Sequence, residues 1–476
     1  MARELELKLE IDPAAAAKLR TDRLLKAQPH VERLVSVYYD TPKRKLRQQG
    51  LVLRVRQRDD GWVQTVKRNA DSAGLFDRDE WEAPVQSLQP DLEAIAASPL
   101  KDLIKPHQFR HLVPVFRTDV ERTAWPVEGA GEKIELTYDA GTVEAGGASE
   151  PIHELELELK EGEVGSLFAV ARKIGRLIPL RLGVQSKSER GFALARRKPP
   201  APVKATVVDL PANAMIGDSF AAIVTTCLKH FRMNEPLFIQ ERDAEALHQL
   251  RVAIRRLRTA LWMFKPVVDG PEHERINDRL RTFTRELGAA RNIDVILASM
   301  TANDPARPQL ERDRRQLYGR ILRKLDTARF RGFILDILCW INAGEWRQGS
   351  RPGKPLMPFA RKRLDRLWRQ IKDRGAELRQ LSEIQRHHLR IDSKKMRYAL
   401  EFLGQPRGAA GKTQRDFIAA AEGVQDTLGH LNDLATRRAM LSWPMPPPEM
   451  EADRALRAAK RHLRKMEKIG PFWSEA

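Results

Sequence analysis

Two carboxylates and an ammonium stand on alternate residues in Glu4-Leu5-Glu6-Leu7-Lys8, and the pattern returns as Glu156-Leu157-Glu158-Leu159-Lys160. In an extended strand every second side chain points the same way, so each copy sets a charged face against a leucine face. Glutamates at that spacing can hold hard cations. A complementary stripe lies between the copies, where Arg54, Arg56 and Arg58 share a face opposite Leu53 and Val55. Arginines at i and i+2 suit consecutive phosphate groups, each guanidinium offering a planar fork of donors. Charges also alternate in Trp62-Val-Gln-Thr65-Val-Lys67 and Arg78-Asp-Glu80-Trp-Glu82. A single such strand reads as the wet face of an ordinary sheet. Five together read as an ionic interior whose apolar face packs outward on helices.

A second constellation is helical. In His248-x-x-Arg251-x-x-x-Arg255-x-x-Arg258 the three arginines fall within roughly 80° of His248 around a helix, and Leu250, Ile254, Leu257 and Leu261 gather on the other side. The spacing repeats without gaps as His387, Arg390, Lys394 and Arg397. About forty residues after each stripe comes a second matching pair, Leu287-Gly288-x-x-Arg291-Asn292 and Leu428-Gly429-x-x-Asn432-Asp433. Neither stripe carries the glutamate one turn away that would pair its charges. Duplicated, unpaired cations facing one pocket would bind a polyanion.

These residues need two different scaffolds. The chain has 476 residues, too many for one core. Residues 1–198 hold 33 Lys and Arg against 31 Asp and Glu, whereas 199–476 hold 51 against 33, so nearly all of the net charge of +20 lies in the second part. Compensated charge suits ionic clusters; an excess of that size suits a polyanionic partner. The segment 199–211, rich in proline without periodicity, is the expected linker. Before it, alternating runs at 4–11, 33–40, 50–58, 62–68, 76–84, 115–125, 133–139 and 152–160 predict about eight strands, enough to close an antiparallel barrel, with helices at 13–27, 90–104 and 163–178. After it, 212–470 reads as helical, in two pseudo-symmetric bundles of about 212–340 and 357–470. The fold class is α+β followed by all-α.

Other chemistries are not supported. Gly408-Ala-Ala-Gly411-Lys412-Thr413 imitates a phosphate loop, but Pro406 occupies the first glycine's place and no strand precedes it. The histidine and cysteine spacings are not those of a zinc site. Only Cys227 and Cys339 are present and no apolar run approaches the roughly 20 residues of a membrane span, so a cytoplasmic protein without disulfides is expected. Recognition-helix and base-stacking patterns are lacking, so nucleic acid is not the expected partner.

The elements Glu4-x-Glu6-x-Lys8, Tyr38-Tyr39-Asp40-Thr41-Pro42, Leu53-Arg54-Val55-Arg56, Thr65-Val66-Lys67, Arg78-x-Glu80-Trp-Glu82, Phe116-Arg117-x-x-x-x-Arg122, Asp139-x-Gly141, Glu154-Leu-Glu156-Leu-Glu158 and Ser186-Lys187-x-x-Arg190-Gly191 resemble, in order over 1–198, the CYTH superfamily of triphosphate tunnel metalloenzymes. The resemblance implies a tunnel that takes triphosphate with Mg²⁺ or Mn²⁺. Carried over by position, Glu4, Glu6, Asp139, Glu156 and Glu158 are the metal ligands. Lys8, Arg54, Arg56, Lys67, Arg78, Arg122 and Lys187 hold phosphate, and Glu4, Glu6, Lys8 and Arg56 are the catalytic set. Arg117 and Arg122 have opposite parity, so a regular strand turns only one of them inward. The duplicated stripes resemble the CHAD domain, an α-helical domain associated with polyphosphate. That likeness assigns His248, Arg251, Arg255, Arg258, His387, Arg390, Lys394 and Arg397 to polyphosphate, with Lys394 in place of the first stripe's Arg255 and Asn292 where the family commonly has Asp. Together they imply an inorganic triphosphatase whose helical half binds polyphosphate and places it at polyphosphate granules. An adenylate cyclase of the same superfamily and a non-catalytic polyphosphate scaffold are the alternatives.

Overall fold

The structure is a computed structural model. It describes residues 2–474 except 21–24, 26, 59–60, 69–71, 97–108, 130, 405–407 and 442–448, and the side chains of 2–3, 78, 408–409, 432–441 and 449–450 are outside the description. The expected helices at 13–27 and 90–104 therefore fall partly outside the described residues.

The chain forms two compact units, Met1–Ala201 with Lys324–Gly344, and Pro202–Arg323 with Glu345–Ala476. In the first, strands β1 (Ala2–Glu10), β2 (His30–Asp40), β3 (Leu51–Arg58), β4 (Gly61–Arg68), β5 (Leu75–Val85), β6 (Val113–Gly129), β7 (Glu132–Ala145), β8 (Ala148–Glu161) and β9 (Arg181–Leu182) make one curled antiparallel sheet in the order β5-β4-β3-β2-β6-β7-β8-β1-β9. β1 is hydrogen-bonded on both sides, to β8 from Glu6 opposite Glu158 to Glu10 opposite Glu154, and to β5 from Ala2 opposite Glu80 to Leu7 opposite Leu75. The expected eight strands are all present, and β9 is an addition two residues long.

The apolar faces turn outward, onto helices. Leu51, Leu53 and Val55 of β3 share a core with Leu46 of α2 (Lys45–Gln48) and Ile95 of α3 (Leu92–Ala96); α1 (Pro13–Arg20) precedes them. α4 (Val164–Leu177) packs on β8 and β1 through a face that buries Leu167, Phe168, Ala171 and Ile174. The ionic faces then have only the interior left to occupy. α5 (Lys187–Leu194) begins with a complete capping box between Ser186 and Glu189 and lies on β6 and β7. Gly191 is needed there, because a side-chain carbon would collide with the ring of Phe116. Gly141 likewise has no room for one against the Asp119 carbonyl.

The second unit contains α6 (Ile216–Glu241), α7 (Ala244–Val268), α8 (Pro271–Ser299), α9 (Arg307–Leu325, its last two residues in the first unit), α11 (Leu356–Ala376), α12 (Glu383–Phe402), α13 (Gly408–Leu441) and α14 (Glu449–Ile469). α6 packs on α7 and α7 on α8; α11 packs on α12, α12 on α13 and α13 on α14. α7 and α12, which carry the two stripes, also meet. α10 (Ala328–Ala343) lies across the end of the first helical repeat expected at about 212–340, yet it clusters with the first unit, against α4, where Arg172 Nε donates to Asp336 at 3.0 Å. The phosphate-loop imitation at 408–413 is simply the first turns of α13.

Candidate functional site: an ionic lumen and a duplicated basic cavity

Inside the curled sheet is a cavity of about 350 Å³, lined almost entirely by charged and hydroxyl side chains. Register explains how distant sequence positions meet. Tyr38 lies opposite Arg54, Arg54 opposite Thr65, and Thr65 opposite Glu82, while Ser36 lies opposite Arg56. On the other wall one row aligns Arg122, Asp139, Glu154 and Glu10; the next aligns Thr137, Glu156 and Lys8; the third aligns Glu135, Glu158 and Glu6.

In the first two of these rows Asp139, Glu154 and Glu156 are compensated by Arg122, Lys8 and a third cation from outside the sheet. Arg122 grips Asp139 with both guanidinium arms, at 2.8 and 2.7 Å, and reaches Glu156 at 2.6 Å. Lys8 donates to Glu156 at 2.7 Å and to Glu154 at 3.3 Å. From the start of α5, Lys187 contacts Asp139 at 2.5 Å, Glu156 at 3.0 Å and Glu154. Burial would push these carboxyl groups up, but Lys187 first, then Lys8 and Arg122, hold Glu156 well below the usual carboxylate range; Lys187 and Arg122 take Asp139 down to about 2. Burial opposes the charge on Lys8 and Lys187 as well, and the same carboxylates outweigh it and raise both. Arg117, by contrast, is on the outer face with Asp119, so Arg122 is the inward arginine.

The third row is different. Glu6, Glu158 and Glu135 stand directly opposite one another, an arrangement of like charges that costs free energy unless a cation intervenes. Burial raises the Glu158 carboxyl, and the charges of Glu4 and Glu135 add to the rise despite Lys160 at 2.6 Å. Glu4 itself is held by Lys67 at 2.8 Å. The five metal-ligand candidates therefore separate into Asp139 and Glu156, which sit with Glu154 among three cations, and Glu4, Glu6 and Glu158, which face one another near the lumen. Asp139, Glu154 and Glu156 also place oxygens within 4.8 Å of one another, a spacing that could hold a metal ion.

Among the phosphate candidates, Lys67 bridges Glu4 and Glu80, and Arg54 lies 3.4 Å from Glu80 and 3.8 Å from Glu82. Arg56 is 7% exposed and donates to the Ser36 hydroxyl at 3.1 Å. Among the described residues no carboxylate pairs with it. Burial, then Arg54 and Arg122, push its guanidinium down to about 9. The Arg78 side chain lies outside the described residues.

Sequence reasoning missed Tyr38, Ser36, Glu135 and the ligand-like position of Glu154. Tyr38 lines the lumen, stacked on Phe116 at 4.3 Å between centroids; burial alone would raise its phenol, but Arg54, Arg56 and Lys187 lower it.

In the helical unit the two stripes line one basin. His248, Arg251, Arg255, His387, Arg390, Lys394 and Arg397 border a cavity of about 1170 Å³, and Arg258 borders a second of about 780 Å³ that shares Arg251, Arg255, His387, Arg390 and Lys394. Burial, then Arg255 and Arg390, push Arg251 down to about 10; burial, then Arg291, bring His248 to about 4, so its imidazole is neutral. The Nε atoms of the stripe arginines Arg251, Arg255, Arg258, Arg390 and Arg397 are buried without a hydrogen-bond acceptor. The expectation of unpaired stripes fails at Arg397, which is 3.4 Å from Glu401 one turn on and 3.3 Å from Glu422; Tyr398 first, then these two acids, raise it against its burial. Arg291, Tyr398 and Arg415 complete the wall.

Residues 2–192 match the family model of the CYTH domain, and residues 222–442 match that of the CHAD domain. Over 205 residues, 42% of this chain, the sequence is 33% identical to a Haemophilus influenzae protein named inorganic triphosphatase, and the chain spans 56% of that relative's length. A CHAD-domain structure from Ricinus communis is 28% identical, covering 57% of this chain and 93% of that one with a TM-score of 0.46. A Hippeastrum protein described as an adenylyl cyclase with a dominant triphosphatase activity is 24% identical, covering 40% and 95% with a TM-score of 0.31.

Proposed function

Because the chain carries a CYTH domain at residues 2–192 followed by a CHAD domain at 222–442, we propose that it is a divalent-metal-dependent inorganic triphosphatase, splitting tripolyphosphate into pyrophosphate and phosphate in the lumen and binding inorganic polyphosphate in the helical basin. The pairing of β1 with both β5 and β8 supports a closed tunnel. The observation that carries the reading is Arg56, a buried cation in the lumen that donates to the Ser36 hydroxyl and, among the described residues, forms no ion pair. A phosphate oxygen is the partner that such a guanidinium lacks.

Arg54 and Arg56, one strand face apart by two residues, grip successive phosphate groups, and Lys67 reaches the same chain. Asp139, Glu154 and Glu156 hold Lys8, Lys187 and Arg122 in place, so that these cations meet charge developing on the leaving phosphate without reorganising. The Tyr38 phenol stands beside Arg54 and Arg56 in the lumen, where these cations lower its pKa against the effect of burial. The carboxylates of Glu4, Glu6 and Glu158 fit a hard cation, since they are oxygen donors gathered at the lumen, with Lys67 on Glu4 and Lys160 on Glu158 holding two of them in place. Bound there, Mg²⁺ or Mn²⁺ would supply neutralisation of the phosphate chain and polarisation of its oxygens.

Phosphate release from tripolyphosphate with Mg²⁺, measured for the wild type, Glu6→Ala and Arg56→Ala, tests the reading. Both variants are expected to lose at least about a hundredfold in kcat/KM, as expected for removal of a preorganised charge partner. Equal release by all three would overturn it, and cyclic AMP formation from ATP would replace it.

A further inference from the structure

Across the eight repeated stripe positions Lys394 is the single primary amine; the matching position in α7 is Arg255. It borders both basic cavities, so solutes reach it from either side. Four guanidinium groups face it, Arg251 and Arg255 from α7 and Arg390 and Arg397 from its own helix. Among the described residues no carboxylate pairs with it, and two acids of the wall are engaged elsewhere, Glu401 by Arg256 and Arg397 and Glu422 by Arg397. Burial first, then those four arginines, push the Lys394 ammonium down to about 6. Its nitrogen therefore keeps a lone pair at neutral pH, where an exposed lysine is almost wholly protonated. A guanidinium cannot do this. A cavity that joins anion-binding arginines to a free amine suits a compound with a phosphate at one end and a carbonyl at the other.

We propose that Lys394 captures small phosphorylated aldehydes as a Schiff base, with Arg251, Arg255 and Arg390 holding the phosphate. The nitrogen lone pair forms a bond to the carbonyl carbon as the π pair moves to oxygen. The resulting carbinolamine expels that oxygen as water together with the two amine hydrogens, so one amine and one aldehyde give one imine and one water with no change of oxidation state. The capture is reversible and competes with condensed phosphate, since it rests on the reading of this basin as a phosphate-binding site.

Pyridoxal 5′-phosphate is the probe. The full-length protein is incubated with it near neutral pH, reduced with borohydride to fix any imine, and mapped by peptide mass spectrometry. Lys394 is expected to carry the adduct at least about tenfold above any other lysine, to be protected by tripolyphosphate, and to label far less with unphosphorylated pyridoxal. Lys394→Arg, checked as folded by its thermal melt, should abolish that adduct. Label scattered over surface lysines, or undiminished by Lys394→Arg, overturns the proposal. Polyphosphate retention without Lys394 labelling sinks it alone; loss of both sinks the basin reading with it.

Discussion

Gly429 lies against the guanidinium of Arg390: a methyl group on Gly429 would stand 3.0 Å from Nη2, whereas one on Gly288 would stand 3.7 Å from Nε of Arg251. The repeated Leu-Gly elements thus leave room for the repeated arginines, tightly in the second repeat and loosely in the first. Alanine in a helix interior stabilises by about 1 kcal/mol relative to glycine. Gly288→Ala should therefore raise the unfolding midpoint and leave polyphosphate affinity intact. Gly429→Ala should push Arg390 aside and weaken polyphosphate binding several-fold, about 1 kcal/mol. Thermal melts and a polyphosphate titration of both variants check the contrast.

Asp139 is completely buried and takes both arms of Arg122. Asp139→Asn keeps the shape but leaves Arg122 and Lys187 short of one charge, and breaking such a buried network costs about 3 kcal/mol. The sign with pH follows from the depressed carboxyl. The native state holds it near 2 against an ordinary 3.8, so its contribution is complete above 3.8 and is lost as pH falls toward 2. Denaturant melts should show the variant less stable at neutral pH, with the difference closing in that acid window. Hydrolysis should fall as well, because Arg122 is no longer held.

Much of the lumen was legible because alternation is local. Glu4, Glu6, Lys8, Arg54 and Arg56 face inward as their parity requires, and the parity argument separates Arg122 from Arg117. What alternation cannot give is register. Tyr38, Ser36 and Glu135 join the site through cross-strand partners, and Glu154 belongs beside Asp139 for the same reason. α2 and α5, four and eight residues long, are too short to show a helical period. In the helical half the stripe geometry was readable from one helix at a time, but Glu401 as the partner of Arg397 was overlooked although it lies one turn away. Nothing local in α10 reveals which unit its apolar face packs on.

If the basin binds polyphosphate as proposed, Lys394 should make that binding depend on pH. Its ammonium is pushed from 10.5 to about 6 by burial and the surrounding arginines, and a bound polyanion reverses the electrostatic part of that shift. Binding then takes up a proton between those two values, so affinity falls as pH rises through the window, by at most about tenfold per pH unit for one proton. His248, at about 4, titrates below it. Polyphosphate titrations between about pH 6.5 and 8.5 should show this slope for the wild type and a flatter one for Lys394→Arg. Equal slopes would show that Lys394 stays charged.

The placement of α10 bears on how the chain can be cut. α4 buries its inner face on β8 and β1, and it meets α10 through the Arg172–Asp336 pair and around a small cavity lined by Ala171, Gly175, Leu180 and Leu335. Arg181 also pairs with Asp326 at 3.0 Å. A fragment ending at 201 keeps the lumen but exposes this second face of α4, and burial of even two leucine-sized groups stabilises by about 3 kcal/mol. Such a fragment should unfold at lower denaturant than the intact protein's first unit and be cut faster by protease within α4. Appending residues 324–344 through a flexible linker should restore the midpoint. Fragments with and without that helix that melt together would show that α10 adds nothing to the stability of the sheet unit.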